Sequence, residues 1–504
     1  MNITKIAIVG GGTAGWLAAN HLGLALSSNS NVEITVIESL DIPSIGVGEG
    51  TVPYIVKSLK KFGISEAELL GSCDATFKQG IRFVSWLDEK VHGAHNFYYH
   101  PFEAPYPEGL DITNIWLNLG KKIPFDYVGI QSRVCESGLA PKLKTDGNYQ
   151  GVLPYAYHFD AAKFAKLLKR NALDRFNVRV LNGTVDESKL DQTGHIESLC
   201  MTNGDILHFD FYVDCTGFSA KLISSVSNDS FQDKSEQLLV DTALVQQIER
   251  DDPSSLNPYT TATAHKAGWM WEIPLTSRTG TGFVYASKYM SHKEALETYA
   301  RMLNVDSVNP RKIEMRVGYR NQSWSKNCVA LGLAQGFVEP LEATSILLTD
   351  FSAEFLSKNF PLSRAEISVF SDHYNDAVNC AWESTIDFIQ LHYILSDRVD
   401  SDFWVEYRSE VKLSDSLERK LAKFKLRSPQ QMDFWSRFEL FNEKNFLYVL
   451  YGMKFNTHPQ TTSQAEFDIG LKLLDKNNEQ LRRAKGALLD HGEWLKQLKQ
   501  YMSS

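Results

Sequence analysis

The feature that most constrains this chain is Gly10-x-Gly12-x-x-Gly15, which directly follows the apolar run Ile6-Ala7-Ile8-Val9 and leads into Trp16-Leu17-Ala18-Ala19-Asn20-His21-Leu22. A short, continuous apolar run reads as a parallel strand covered on both faces, and the residues after the glycines read as a helix. Val32-Glu33-Ile34-Thr35-Val36-Ile37-Glu38 reads as a second strand, ending in an acid 23 residues beyond Gly15. A βαβ unit with this spacing is built to hold a dinucleotide. The glycines allow a tight turn and close approach to a pyrophosphate, the helix N-terminus supplies N–H groups and positive potential, and the acid accepts hydrogen bonds from ribose hydroxyls. Gly10, Gly12, Thr13, Ala14, Gly15 and Glu38 are the expected contacts.

No second fingerprint follows, since Gly280-Thr281-Gly282 lacks the third glycine and opens no evident helix. A flavoenzyme with its own nicotinamide domain usually shows two, so a flavin here would take its electrons from outside. At 504 residues the chain exceeds what one core usually serves, and a second body packed on the first is expected. Phe159 to Leu173 reads as a helix, Val178-Arg179-Val180 as a strand and Gly194 to Asp210 as a hairpin. Beyond about Arg364 large aromatics accumulate, and Leu481, Ala484, Leu488, His491, Leu495 and Leu498 fall at helical spacing, which predicts a helical C-terminal body.

The net charge of −9, with no basic run, argues against nucleic acid or an anionic membrane as partner and favours a small-molecule substrate. Six scattered cysteines without a C-x-x-C read as reduced thiols of a cytoplasmic protein and offer no metal-ligand spacing. Met1-Asn2-Ile3-Thr4-Lys5 carries no targeting signal, and no apolar stretch reaches the roughly 18 residues that span a bilayer.

Gly46-Val47-Gly48-Glu49-Gly50-Thr51-Val52-Pro53 and Gly268-Trp269-Met270-Trp271-Glu272-Ile273-Pro274, read with Gly10 to Trp16, resemble the flavin-dependent tryptophan halogenase family, the second segment matching its W-x-W-x-I-P signature. The resemblance continues in order through Phe77-Lys78-Gln79-Gly80-Ile81, Tyr157-His158-Phe159-Asp160, Asp214-Cys215-Thr216-Gly217-Phe218, Gly336-Phe337-Val338-Glu339-Pro340-Leu341-Glu342 and Leu391-His392-Tyr393. It implies an α/β chain: a Rossmann-type FAD-binding fold of the flavin monooxygenase and halogenase type with an added, mostly helical C-terminal body. Residues 1–363 would form the FAD-binding and halide-oxidising domain and 364–504 the substrate-side region.

The reaction implied is halogenation of an electron-rich aromatic, most simply an indole. FAD, reduced to FADH2 by a separate NAD(P)H flavin reductase, reacts with O2 and oxidises halide (chloride, bromide or iodide). The hypohalous acid then travels through an internal tunnel to the substrate. Lys78 matches the family's active-site lysine, suited to hydrogen-bond hypohalous acid or form a haloamine because burial shifts an amine readily. Glu342 matches the glutamate that orients the halogenating species or takes the ring proton, although a carboxylate at a helix start has a bland reading too. Trp269 and Trp271 share one face of a strand and match the barrier between flavin and substrate; ordinary core packing is the alternative.

Gly48, Gly50 and Thr51, within the Gly46 to Thr51 strap, and Gly332 and Phe337 match further flavin contacts. The common P-L-E-S-T-G becomes Pro340-Leu341-Glu342-Ala343-Thr344-Ser345, so the halide pocket expected at Thr344 and Ser345 carries a side chain where the family has glycine. The clamp that fixes free tryptophan in some members has no match. Phe446, Tyr448, Tyr451, Phe403 and Trp404 read more readily as helix core than as a substrate pocket. A flavin monooxygenase and a non-catalytic FAD-binding redox sensor are the competing functions, and a homodimer is the base-rate assembly.

Overall fold

A computed structural model describes residues 2–503 except 30, 40, 42–47, 228–230 and 251–255, so Gly46 and Val47 of the strap lie outside the described residues. The opening strand Lys5–Val9 is buried from Ile6 onward, as its apolar run predicts, and pairs in parallel with Glu33–Glu38 on one side and Phe211–Asp214 on the other. The sheet around it has six strands in the order Trp324–Ser325, Cys328–Ala330, Phe211–Asp214, Lys5–Val9, Glu33–Glu38 and Arg179–Asn182. The helix Thr13–Leu26 links the first two strands and is buried from Gly15 to Gly23, packed between the helices Ala161–Phe176 and Thr344–Lys358. This is the nucleotide-binding half predicted from the glycines.

A seven-stranded sheet runs Arg311–Glu314, Thr242–Glu249, Arg278–Tyr285, Gly268–Pro274, Thr260–His265, Gly80–Val84 and Phe97–Pro101. A small sheet joins Glu49–Gly50, Ala156–Phe159 and Thr76–Lys78. The chain therefore leaves one sheet at Lys78 and enters another at Gly80. Gly80 makes the crossing with φ +154°, where a Cβ would come within 2.6 Å of the His100 carbonyl oxygen, and this is the physical content of the Lys78-Gln79-Gly80 motif.

The helix expected at Phe159 to Leu173 is Ala161–Phe176; Asp160 caps it by accepting from the Lys163 N–H at 2.8 Å, and Asn177 ends it in the left-handed region. The expected hairpin is Ile196–Met201 with Ile206–Leu207. From Ile367 the chain is mainly helical, led by Ile367–Ile394 and followed by Asp402–Ser409, Asp415–Leu426 and Glu443–Gly452. One apolar cluster extends from Ile3 to Leu495, joining this helical body to the sheets.

The apolar spacing at 481–498 does not belong to one helix. Gln464–Ala487 stops where Leu488 turns extended (φ −81°, ψ 141°), and His491–Ser503 starts anew. The break turns His491 inward, where its Nε2 accepts the Phe77 N–H at 3.1 Å and its Nδ1 meets the Leu256 carbonyl at 3.0 Å. Burial draws this imidazole down to about 4, so it is neutral and can accept. The C-terminal segment thus anchors the strand that carries Lys78.

Candidate active site

A cavity of about 640 Å³ is walled by the glycine turn and also reaches Glu38, Lys78, Trp269, Trp271 and Phe337. Its dinucleotide end follows from the backbone. Gly10 has φ +119° and a Cβ there would collide with the Cys215 carbonyl, while one on Gly15 would collide with the Gly10 carbonyl. Gly15 is accordingly a close-packing residue and does not reach the cavity wall. Gly12 opens onto space, with none of the described residues within 4 Å of where its Cβ would lie. The helix that follows has no side-chain cap and no acid in its first turn, so its N–H groups are free to meet a pyrophosphate.

Glu38 ion-pairs with Lys169, a partner with no signal in the sequence. Asp214 closes its own turn, its carboxylate accepting from the Thr216, Leu222 and Ile223 N–H groups, and this packs Cys215 onto Gly10. The residues and the shape fit FAD. Gly48, Gly50, Gly332 and Ser345 also line the cavity. Thr51 does not: its Oγ1 donates to the Tyr157 carbonyl at 2.8 Å and accepts the Tyr157 N–H at 3.1 Å.

Trp269 and Trp271 lie on the strand Gly268–Pro274, with ring centroids 5.7 Å apart. Gly282 stands opposite Trp271 across the sheet, and any Cβ there would overlap its indole. Gly280-Thr281-Gly282 thus belongs to a strand, and Gly282 makes room for the Trp271 indole. Trp269 donates its indole N–H to Glu339 at 2.5 Å.

Lys78 ends the strand Thr76–Lys78, which pairs with Ala156–Phe159. Its side chain is wholly buried, and its Nζ has no hydrogen-bond partner among the described residues. A Cβ on Gly50 would sit 3.3 Å from this nitrogen. His158 nearby engages Thr76 and Thr260 and is driven far below its ordinary value by burial and then by Lys78. Burial pulls the Lys78 ammonium itself down to about 7, against an opposing attraction from Glu342.

Glu342 lies just before the helix Thr344–Lys358, but helix-start chemistry does not account for it. Its carboxylate faces His100, whose Nδ1 lies 2.9 and 3.0 Å from the two oxygens, and His392, whose Nε2 is 3.0 Å from Oε1 but off the line of a hydrogen bond. Tyr98 bonds the other nitrogen of His392, and Asn445 bonds that of His100. Burial pushes the Glu342 carboxyl up, but the charge and hydrogen bond of His100, then the close approach of His392, outweigh it and bring it to about 2.

Lys78 and Glu342, 264 positions apart, are thus brought together electrostatically without forming an ion pair. Sequence reasoning missed His100 and the roles of His392 and Glu339. His392 stood in a matched motif without a role, whereas His100 follows Phe97-Tyr98-Tyr99 in an ordinary strand pattern. Thr344 is buried, its Oγ1 has no hydrogen-bond partner among the described residues, and with Ser345 it lines a small void beside Phe337. Phe446, Tyr448, Tyr451, Phe403 and Trp404 are all buried core and do not line the large cavity. No cluster of potential metal ligands occurs among the described residues, nor a helix long and apolar enough to cross a membrane.

The family model described as tryptophan halogenase matches residues 5–468. The tryptophan 7-halogenase RebH of Lentzea aerocolonigenes is 34% identical over 90% of this chain and 89% of its own length. A tryptophan halogenase structure from Shewanella frigidimarina superposes with a TM-score of 0.95 at 34% identity, covering 99% of this chain and 98% of that one. The flavin-dependent halogenase BrvH of Brevundimonas sp. gives 0.87 at 30% identity, covering 98% and 99%. The chain belongs to the tryptophan halogenase family and is a flavin-dependent halogenase, an oxidoreductase that uses FADH2, O2 and halide and depends on an external flavin reductase.

Proposed function

We propose that the cavity holds FAD along the Gly10–Gly15 turn, Glu38, Gly48, Gly50, Gly332 and Phe337, and that an indole-type ring is halogenated where Lys78 faces Glu342. One observation carries this reading: Lys78 is wholly buried, has an unpartnered Nζ, lines the cavity that begins at the glycine turn, and feels Glu342 electrostatically. Reduced FAD with O2 supplies the two-electron oxidant that turns halide into hypohalous acid. Lys78 donates a hydrogen bond to that acid and makes its halogen more electrophilic. Near neutrality it can also lose its proton, so a haloamine route is open to the same side chain.

In the substitution a carbon–halogen bond forms, the O–halogen bond breaks as Lys78 gives a proton to the leaving oxygen so that it departs as water, and the ring proton passes to Glu342, from which it returns to Lys78. The His100 and His392 contacts keep that carboxyl ionised and so ready to accept. The indole preference is supported by relatives named as tryptophan 6- and 7-halogenases. Trp269 and Trp271 restrict the organic substrate to the Lys78 side. Thr344 and Ser345 form the halide pocket, in which the serine side chain stands where the family has glycine and alters the choice among chloride, bromide and iodide.

Residues 1–363 serve flavin and halide and 364–504 the substrate side, within a soluble cytoplasmic homodimer that engages neither nucleic acid nor membrane. The acidic net charge supports the last point. Purified protein given FAD, a flavin reductase, NADH, bromide and indole is expected to yield bromoindole by mass spectrometry. Lys78→Ala is expected to abolish the product while FAD still binds. Hydroxyindole formed without halide dependence would refute the reading.

A further inference from the structure

Behind the tryptophan wall lies a second buried acid for which the halogenation scheme has no use. We propose that Glu339 is a positioning residue, a latch that fastens Trp269 to the helical body and so fixes the wall relative to the side chains around Glu342. The inference rests on the reading of Trp269 and Trp271 as the barrier.

The geometry is specific. Glu339 is wholly buried, and its Oε2 accepts two hydrogen bonds, from Trp269 Nε1 and from the Tyr393 hydroxyl, each at 2.5 Å. Tyr393 is the neighbour of His392 on the helix Ile367–Ile394 and stacks on Tyr407 at 4.3 Å with the rings 7° apart. Glu339 is three residues from Glu342 in the loop before the helix Thr344–Lys358. One carboxyl therefore touches the wall strand and the helix that presents His392, and belongs to the loop that presents Glu342. The two indoles are held differently: Trp271 fits the space left by Gly282 and leaves its N–H unpartnered, whereas Trp269 is tied by its N–H. Turning Trp269 away would strand its buried N–H and take from Glu339 one of its two hydrogen bonds.

The latch is also free of countercharge. Among the described residues no lysine or arginine ion-pairs with Glu339, and its Oε1 is buried without a partner. The titratable groups facing it are Tyr393 and Tyr407 from the helices Ile367–Ile394 and Asp402–Ser409, both raised by burial and by this acid, while the wall strand offers only Trp269. Burial pushes the Glu339 carboxyl up to about 7 in spite of its two donors. An acid raised in the folded state costs stability as pH rises from about 4.5 to about 7, because the folded protein then holds a proton that the unfolded chain has released.

The test uses the full chain with FAD and four variants: E339Q, E339A, W269F and the double variant E339A/W269F. Glutamine keeps the accepting oxygen, so E339Q should hold product yield per reduced flavin within about twofold of wild type, and E339A should lower it about fivefold or more while FAD affinity is retained. E339A should also change the near-ultraviolet circular dichroism of the indoles, and in the W269F background that change should vanish. In denaturation experiments the folding constant of wild type relative to E339Q should fall by up to about tenfold per pH unit between about 4.5 and 7, then level off.

The latch is overturned if E339A leaves yield and spectrum unaltered, if its spectral effect persists in W269F, or if E339Q is as impaired as E339A. Should E339A fail to fold, E339Q decides through its pH curve, and a flat one overturns the proposal. A W269F enzyme with wild-type product distribution, alongside a spectral change in E339A that needs Trp269, would uphold the latch and reject the barrier.

Discussion

Replacing Lys78 by methionine should stabilise this protein while disabling it. The ammonium is wholly buried, has no hydrogen-bond partner among the described residues and is depressed from 10.5 to about 7 by burial, with Glu342 offsetting only part of the cost. A depression of about 3.5 units corresponds to roughly 5 kcal/mol of destabilisation wherever both folded and unfolded chains are protonated. The sign follows from proton binding. Between about pH 7 and 10.5 the unfolded chain carries a proton the folded one lacks, so wild-type stability rises with pH and the penalty fades. Methionine fills similar volume without charge. Urea denaturation of flavin-free protein, followed by tryptophan fluorescence, should therefore find K78M more stable by up to about 5 kcal/mol at pH 7 and below, with the gap shrinking by about 1.4 kcal/mol per pH unit toward 10.5. A K78M protein less stable than wild type at pH 7, or a gap constant from pH 7 to 10, would refute the reasoning.

Gly12→Ala should leave the melting temperature of the flavin-free protein unchanged, since nothing lies within 4 Å of the added carbon, yet weaken FAD about 10- to 100-fold in a fluorescence titration. Glu342 stabilises the fold above about pH 4.5, and that contribution, about 3 kcal/mol, is lost as pH falls through about 2. Removing the chief counter-influence in His100→Ala should raise the acidic limb both of stability and of the pH profile of halogenation, with pH-dependent denaturation and initial rates as the checks. Ser345→Gly, which removes a side chain from the small void beside Thr344, should lower the ratio of kcat/KM for chloride over bromide by about 3- to 10-fold in a competition assay analysed by mass spectrometry.

The nucleotide half was legible because its constraints are local. A strand, a glycine turn and a helix must adjoin in sequence to bind a pyrophosphate, and Gly10, Gly12 and Glu38 line one cavity. The strand Gly268–Pro274 was legible for the same reason, as alternation alone puts Trp269 and Trp271 on one face. The surroundings of Lys78 and Glu342 were not. His100 comes from a strand 242 residues before Glu342, and His491 supports Phe77 from 414 residues away. Such pairings arise where the sheets meet the helical body, and no local period encodes them. The helix break at Leu488 escaped notice because the apolar spacing continues across it; what ends the helix is the demand that His491 turn toward Phe77.

The same seam concentrates buried ionisable groups held away from their ordinary values. Burial draws Lys78 down to about 7 and pushes Glu339 up to about 7, whereas His100 and His392 bring Glu342 down to about 2 against its burial. Two of the three cost stability at neutral pH, so packing alone would favour apolar residues in their places. Their positions follow a chemical order: Lys78 at the cavity, Glu342 ionised between two imidazoles, and Glu339 behind the wall with no cation. If the seam is organised for chemistry in this way, the K78M gain in stability should coincide with loss of product, while E339Q gains stability above neutrality and keeps its product.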